Sequence, residues 1–303
     1  PELATSEPTD RDGIKGDAEL AWCYFKIAAN PLTGMIPSTV LQTSGTNTTF
    51  DYATMWDIGS QLFGMIAAVR LDLMSLSDLD RWARTLIENL PTITVQGLKL
   101  PSSIVHVRHQ DKPDPSFNSC DVGRLLSALH SLRIFSPGLK EIVDRKVAAW
   151  DLKDTFRNGR PHDLTAHHSY DRFGSHCTDY AAKGYQSFQI AAGSPYRHLN
   201  GGDDTDAVMD LLFNVSEIGS IGAEPLLLDV VEFGFTPTTQ YLADMLFAAQ
   251  LVDHLGTGTM RCVSEGPLNK APWFSYQGYN INGFAAPWDV QVLSNDRRFK
   301  DPA

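Results

Sequence analysis

Four carboxyl groups in this sequence are candidates for acid–base chemistry: Asp57, Asp121, Glu232 and Glu265. Asp57 and Asp121 each fall in the first turn of a predicted helix, where free backbone N–H groups and the helix dipole favour a negative charge. Helix capping alone is the alternative role for these two aspartates. Glu232 stands between an apolar helix and a loop, and an apolar setting raises the pKa of a carboxyl group and suits it to proton donation.

Aromatic residues accompany two of these carboxyl groups. Trp56 directly precedes Asp57. The segment that follows Glu265 is rich in turn residues and is predicted to be a loop, and it carries Trp273, Phe274 and Tyr276. Clustered aromatic side chains in a loop are costly to expose unless they bind something. Sugar rings pack their C–H faces on aromatic rings, so the pattern favours a carbohydrate site over a loop that only plugs the core.

Metal and cofactor sites are not indicated by the remaining polar residues. The run 162–180 contains four histidines and three aspartates, but no two of its histidines have the i, i+4 spacing of a helical zinc site. The four cysteines form no CxxC pair, and the acidic run at 203–206 lacks the full calcium-loop pattern. We therefore expect no metal and no cofactor. Arg124 is predicted to pair with Asp121 or to bind substrate.

Composition narrows the class of partner. The chain has 303 residues and a formal net charge of −11, which disfavours binding to a phosphate backbone. No segment approaches the roughly 18 apolar residues that would span a bilayer. The polar opening of the chain predicts a flexible segment over residues 1–16, followed by a single domain over 17–303.

Two kinds of helix alternate along the chain. The segments 56–71 and 121–134 are apolar on nearly every side, which indicates buried helices. The segments 76–90 and 139–150 carry one apolar stripe and one charged face, which indicates helices on the outside. Further helices are predicted over 17–29, 179–192, 225–231 and 241–255, whereas only 92–100 and 260–264 look extended. The fold class is therefore all-α with minor extended segments: an α/α barrel of inner and outer antiparallel helices, with up to six helix pairs.

Several motifs spread over most of the chain carry a family resemblance. They are AWCYFKIAANPLTGMIPS, TTFDYATMWDIGSQL, DVGRLLSALHSL, EPLLLDVVEFG and SEGPLNKAPWFSYQGY. Together they resemble a bacterial family of uncharacterised extracytoplasmic domains. That family is in turn similar, more remotely, to the α/α-barrel glycoside hydrolases that include β-1,2-glucanases. The resemblance implies a periplasmic or secreted protein with a role in the envelope or in exopolysaccharide metabolism.

The leading hypothesis is a glycoside hydrolase that acts on a bacterial glucan or exopolysaccharide. Such enzymes use one carboxyl group to protonate the leaving oxygen and another to activate water or attack directly. We expect Glu232 to be the acid, Glu265 or Asp57 to be the base, and Asp121 to support them. The expected substrate-binding residues are Trp56, Arg124, Trp273, Phe274 and Tyr276.

Two other functions fit the same sequence. A polysaccharide lyase would need a Tyr and a His for proton transfer and an Arg for a uronate, here Tyr170, His168 and Arg172. A non-catalytic glycan-binding protein of the envelope would need only the aromatic residues. In all three hypotheses the partner is an oligosaccharide or polysaccharide, with no nucleic acid and no membrane-spanning segment.

Overall fold

The computed structural model describes residues 11–43, 46–109, 113–200, 204–218, 223–259, 265–267, 273–280 and 289–292. Three parallel helices occupy its centre: α2 (Met55–Arg70), α4 (Ser119–Phe135) and α6 (His176–Gln186). Their parallel arrangement follows from contacts at both ends. The starts of α4 and α6 are joined by a disulfide, and the ends of α2 and α4 meet where Arg70 packs over the Phe135 ring. α2 buries residues all around its circumference, as the apolar pattern predicts.

An outer layer of helices covers this centre. It includes α1 (Arg11–Ala28), α3 (Leu76–Asn89) and α5 (Lys140–Ala148). α3 buries only Leu79, Ala83, Leu86 and Ile87, which share one face, because the opposite face is charged. The predicted alternation of buried and one-sided helices is thus present in the described residues. α1 begins at Arg11, so the last part of the segment predicted to be flexible is helical.

Three further helices follow: α7 (Thr205–Ile218), α8 (Ala223–Phe233) and α9 (Pro237–Thr257). They contribute most of a second, smaller apolar core that contains Leu211, Val215, Leu242 and Leu246. α8 packs against α6, so the two cores adjoin at that contact. None of the helices in the described ranges combines the length and the apolar character needed to cross a bilayer.

Short antiparallel sheets lie in the connections between helices, and the sequence predicted few of them. Their pairings are β1 (Thr39–Thr43) with β2 (Thr46–Phe50), β3 (Tyr52–Thr54) with β6 (Ile104–His106), and β4 (Thr92–Val95) with β5 (Leu98–Pro101). Two three-stranded sheets comprise β7 (Phe156–Arg157), β8 (Arg160–Leu164) and β9 (Ser169–Asp171), and β10 (Glu265–Pro267), β11 (Phe274–Asn280) and β12 (Asp289–Val292).

These strands bear on three predictions. The segment predicted to be extended at 92–100 is confirmed and forms a hairpin, while the one at 260–264 lies outside the described residues. The aromatic segment predicted to be a loop pairs as β10 and β11 instead. Strands of two to seven residues are too short to produce a periodic signal that stands out from loop sequence. The fold is therefore helix-rich, with more extended structure than expected.

Candidate active site

Two aspartates lie in the first turns of the central helices α2 and α4. The side chain of Thr54 caps α2 by accepting the N–H of Asp57 at 3.2 Å, and Asp57 Oδ2 in return accepts the N–H of Thr54 at 2.7 Å. Asn118 caps α4, and its Oδ1 accepts the N–H of Asp121 at 3.1 Å. Both aspartates are half-buried. The two helix N-termini therefore point two carboxyl groups toward the same end of the central layer.

The surroundings of these carboxyl groups shift their pKa values. Burial raises the pKa of Asp57, against the opposing effects of Thr54 and Arg124. Burial raises the pKa of Asp121 well above its usual range, and the negative charges of Asp57 and Asp163 add to the effect. No group in the described part of the chain donates a hydrogen bond to the Asp121 carboxyl. This carboxyl group is therefore suited to hold a proton and to donate it.

A third carboxyl group, Glu224, joins the two aspartates. It lies in the first turn of α8, and its Oε1 accepts the indole N–H of Trp56 at 2.9 Å. Burial raises its pKa, and Asp57 contributes through charge repulsion. Asp121 experiences the charges of both other groups. We refer to Asp57, Asp121 and Glu224 as the carboxylate cluster.

Sequence reasoning did not select Glu224. The available signal was the same one that identified Asp57: an acidic residue in the first turn of an apolar helix. Its contact with Trp56, however, joins residues 168 positions apart, and such a separation leaves no trace in local spacing.

Behind the cluster, Arg124 forms a buried ion pair with Glu232. Arg124 Nη1 lies 3.0 Å from Glu232 Oε1, and the side chains are 3% and 10% exposed. The Tyr180 hydroxyl donates to Glu232 Oε2 at 2.5 Å and accepts from Arg124 Nη1 at 2.7 Å. Arg124 thus pairs with Glu232 and not with Asp121, the partner suggested by its position in the sequence.

The contacts of Glu232 bear on its predicted role. Burial raises its pKa, as its apolar neighbours in the sequence suggested, while Arg124 and Tyr180 act in the opposite direction. Both oxygens of the carboxyl group are occupied by these two partners. The arrangement favours a carboxylate that positions α8 over one that donates a proton to substrate.

Trp56 and Arg124, two of the residues predicted to bind substrate, lie against each other in the structure. The guanidinium carbon of Arg124 lies 4.9 Å from the Trp56 ring centroid, and the Trp56 and Tyr180 rings are 5.3 Å apart. Trp56 is only 7% exposed. The substrate-binding roles of Trp56 and Arg124 stay predictions, and in this structure the two side chains pack against each other beside Glu224.

Close packing of α4 against α6 fixes the helices that carry these groups. A Cβ atom on Gly184 would lie 1.9 Å from the carbonyl oxygen of Gly123, so the helices cross at a point that only glycine permits. At their starts, Cys120 and Cys177 form a disulfide. Asp121 directly follows Cys120, and Tyr180 comes one helical turn after Cys177. The positions of both residues are therefore set by the disulfide and by the glycine crossing.

The remaining predicted site residues lie in the last described segments. Glu265 begins β10, and its Cα pairs in register with that of Tyr276 in β11. Phe274 begins β11. Only the backbone of these three residues is described, and their side chains lie outside the described residues. Trp273, just before β11, is half-buried and has a φ of 68°.

The residues proposed for a lyase are placed on and beside β9. The rings of His168 and Tyr170 are stacked 5.9 Å apart. Arg172 Nε donates to Asp163 Oδ2 at 2.5 Å, and Asp163 in turn accepts the N–H of Ser119 at 2.8 Å. The guanidinium is thus held in an ion pair at the start of α4. Over the described ranges, no three acidic, histidine or cysteine side chains are grouped to hold a metal ion.

The fold is similar to those of solved structures of carbohydrate-related proteins. An endo-β-1,2-glucanase from Chitinophaga pinensis, solved with sophorotriose and glucose, superposes with a TM-score of 0.54 at 9% identity, covering 89% of this chain and 75% of that one. A "putative glucoamylase" from Bacteroides fragilis gives 0.53 at 11% identity, covering 92% and 75%. Another from Bacteroides caccae gives 0.52 at 10% identity, covering 88% and 75%. At these identities the similarity shows a shared fold.

Sequence comparison adds the family. No curated protein sequence matches this chain. One family model, described as "Protein of unknown function (DUF3131)", matches residues 16–300 and hence nearly the whole sequence. That extent agrees with the spread of the motifs that first suggested an extracytoplasmic family. The chain therefore belongs to the DUF3131 family.

Proposed function

We propose that this protein is a glycoside hydrolase that acts on a bacterial glucan or exopolysaccharide. The observation that carries the proposal is the carboxylate cluster at the starts of α2, α4 and α8, where burial raises the pKa of each member. Glycosidic hydrolysis needs a protonated carboxyl group and an ionised one on either side of the scissile bond. Groups whose environments differ, as those of Asp57 and Asp121 do, can take these two roles.

In this proposal Asp121 donates the proton to the leaving glycosidic oxygen. It has the most strongly raised pKa of the cluster and no donor in the described residues to hold it ionised. The role assigned from sequence to Glu232 stays a prediction, but the ion pair of Glu232 with Arg124 makes Asp121 the better candidate.

Asp57 then acts as the base. Its Oδ2 accepts hydrogen bonds from the N–H and the hydroxyl of Thr54, at 2.7 and 3.0 Å, and these favour the ionised form. An ionised Asp57 would remove a proton from water as that water attacks the anomeric carbon, or would attack this carbon itself. Glu265 remains the second predicted base. Glu224, fixed by the Trp56 indole, would orient a sugar hydroxyl.

The choice of a glucan follows from the fold neighbours, one of which is named as an endo-β-1,2-glucanase. The test is to incubate the purified protein with a panel that includes linear β-1,2-glucan, α-1,4-glucan and bacterial exopolysaccharides. Products would be analysed by mass and by anomeric configuration. Release of oligosaccharides by the wild type but not by Asp121→Asn would support the proposal. Intact glycans throughout, despite binding, would indicate the non-catalytic alternative.

A lyase remains the second candidate, because Arg172 lies close enough to lower the pKa of Asp121 and could neutralise a uronate near the cluster. Lyase products contain a new double bond and absorb in the ultraviolet, whereas hydrolysis products do not. An increase in ultraviolet absorbance when the protein is incubated with a uronate polymer would therefore favour the lyase over the hydrolase.

The disulfide between Cys120 and Cys177 supports a periplasmic or secreted location. Disulfides persist in oxidising compartments and are rare in the cytosol. We expect the Cys120→Ser/Cys177→Ser protein to lose about 2–4 kcal/mol of unfolding free energy. Mass analysis after thiol labelling of protein from periplasmic and cytosolic expression would test the bond itself. Labelling of Cys120 and Cys177 in the periplasmic preparation would contradict the disulfide and remove this support for the location.

A further inference from the structure

A group of four rings lies where the connection that leads into α2 meets the connection between α3 and α4. The rings of Phe50 and Tyr52 are 5.1 Å apart, those of Tyr52 and His106 are 4.8 Å apart, and those of His106 and His109 are 4.9 Å apart. We call these four residues the aromatic row. Tyr52 is 39% exposed although rings flank it on two sides. The hydrolytic mechanism proposed above does not use the row.

Strand geometry relates the aromatic row to the carboxylate cluster. Tyr52 and Thr54 belong to β3 and are two residues apart, so they share one face of the strand and are separated by about 7 Å. Thr54 is the residue whose hydroxyl donates to Asp57. The register of β3 with β6 places His106 directly opposite Tyr52. Tyr52 therefore lies close to the residue that holds Asp57, and His106 lies beside Tyr52 on the neighbouring strand.

The polar groups of the row are arranged to meet a ligand rather than the protein. His106 Nδ1 accepts the N–H groups of Arg108 and His109, each at 3.2 Å. The neutral ring must then carry its proton on Nε2, which has no acceptor among the described residues. Beside it, Arg108 Nε pairs with Asp51 Oδ2 at 3.0 Å, with the arginine side chain 54% exposed. Rings that stack and donors that remain free match the C–H faces and hydroxyl groups of a sugar.

We propose that the aromatic row is a binding site for the part of a glucan chain that extends beyond the carboxylate cluster, with Tyr52 as the stacking platform and His106 as a hydroxyl donor. This inference rests on the proposed function for its substrate class. It assigns the protein a preference for chains longer than the few sugars that the cluster can contact. It also makes Tyr52 a determinant of chain-length specificity.

The experiment measures binding, and turnover separately, for two probes of different length: linear β-1,2-glucan and sophorotriose. We expect Tyr52→Ala to weaken binding of the polymer about five- to tenfold, from the loss of stacking, and to change trisaccharide binding much less. Tyr52→Phe should keep the affinity of the wild type for both. Tyr52→Leu is the second variant, for use if Tyr52→Ala is unstable. It retains an apolar contact with Phe50 but lacks the ring, so it should weaken polymer binding as well.

The matched control is Ile134→Ala. Ile134 is 65% exposed and lies at the end of α4, whereas the carboxylate cluster lies at its start. It should leave both affinities unchanged. An equal affinity of wild type and Tyr52→Leu for the polymer would overturn the inference. The inference would also fail if the wild type bound neither β-1,2-glucan nor α-1,4-glucan, with the second glucan tested in parallel. A wild type that binds polymer through Tyr52 but releases no product would leave the aromatic row in place and overturn the hydrolase.

Discussion

Arg124 and Glu232 are joined by a buried ion pair, with 3.0 Å between Nη1 and Oε1, and this pair connects the second turn of α4 to the last turn of α8. Removal of one partner leaves a buried charge without compensation, which costs about 3–5 kcal/mol. We expect Arg124→Met to lower the free energy of unfolding by about that amount in urea titration. Glu232→Gln should cost a similar amount, since it leaves the Arg124 guanidinium buried without a counter-charge although the amide keeps an acceptor for Tyr180.

The control for this prediction is the exposed pair of Arg81 with Asp78, whose side chains are 77% and 48% exposed. Exposed pairs contribute about 0–1 kcal/mol, so Arg81→Met should change stability little. If Arg124→Met proved no more destabilising than Arg81→Met, the ion pair would not hold α8 in place.

Asp121→Asn should abolish hydrolysis and yet stabilise the fold. Loss of a general acid lowers turnover by about 10²–10⁴-fold. Burial and neighbouring negative charge raise the pKa of Asp121, so the native state binds its proton more tightly than the unfolded state does. Stability therefore falls as the pH rises from 3.8, the ordinary pKa of an aspartate in the unfolded chain, toward the raised pKa of Asp121. The loss persists at higher pH. The asparagine variant avoids that loss.

The measurement is thermal unfolding of both proteins between pH 4 and pH 8, together with product release at each pH. Asp154→Asn, on the surface, is the comparison and should change neither property. A variant that is inactive but less stable than the wild type at pH 8 would argue for a structural role of Asp121.

How far the sequence predicted this site depends on the range of each contact. The first-turn aspartates Asp57 and Asp121 were identified because capping and helix periodicity act within a few residues. The pKa direction of Glu232 also followed from its apolar neighbours. Its partner Arg124 could not be found this way, because the two residues are far apart in the sequence and no local pattern encodes their contact.

The sheets illustrate the same limit. The hairpin at Thr92–Val95 and Leu98–Pro101 was recognised as extended because its apolar residues alternate over a full segment. β3 has only three residues, and its pairing with β6 joins segments about fifty residues apart. The aromatic row depends on that pairing, so Tyr52 and His106 could be related to each other only in the folded chain.

The crossing of α4 and α6 should not tolerate a methyl group. Gly184→Ala would place a Cβ atom 1.9 Å from the Gly123 carbonyl oxygen, so the helices would have to separate. We expect a loss of about 1–3 kcal/mol in unfolding free energy. Catalysis should fall as well, because Arg124 and Tyr180 lie within one or two turns of the crossing.

Gly16→Ala provides the contrast, since nothing lies within 4 Å of the added atom in α1. Alanine is favoured over glycine within a helix by roughly 0.5–1 kcal/mol, so this variant should be neutral or slightly more stable. Similar stabilities for the two variants in urea would show that α4 and α6 do not pack as closely as described.

His198 should make stability depend on pH near neutrality. Its hydrogen bond with Asp179 raises its pKa, against the effect of burial, and the two side chains lie 3.2 Å apart. For a histidine with a raised pKa, the stabilisation is fully present below the unfolded value of 6.5 and is lost as pH rises through the folded value. For Asp179, burial alone would raise the pKa, but hydrogen bonds from His198 and Ser194 leave it lowered. Its contribution is thus present above 3.8 and is lost on acidification.

The pair therefore stabilises the fold most between these limits, in weakly acidic solution. We expect the melting temperature of the wild type to decline from about pH 6 to pH 8.5, and that of His198→Gln to decline less over the same range. His167→Gln, at an exposed position, should follow the wild type. The neighbouring Lys183 and Asp229 form their own ion pair and are present in both variants, so the comparison with the wild type isolates His198. Parallel curves for wild type and His198→Gln would show that the contact with Asp179 contributes nothing to the stability of the folded state.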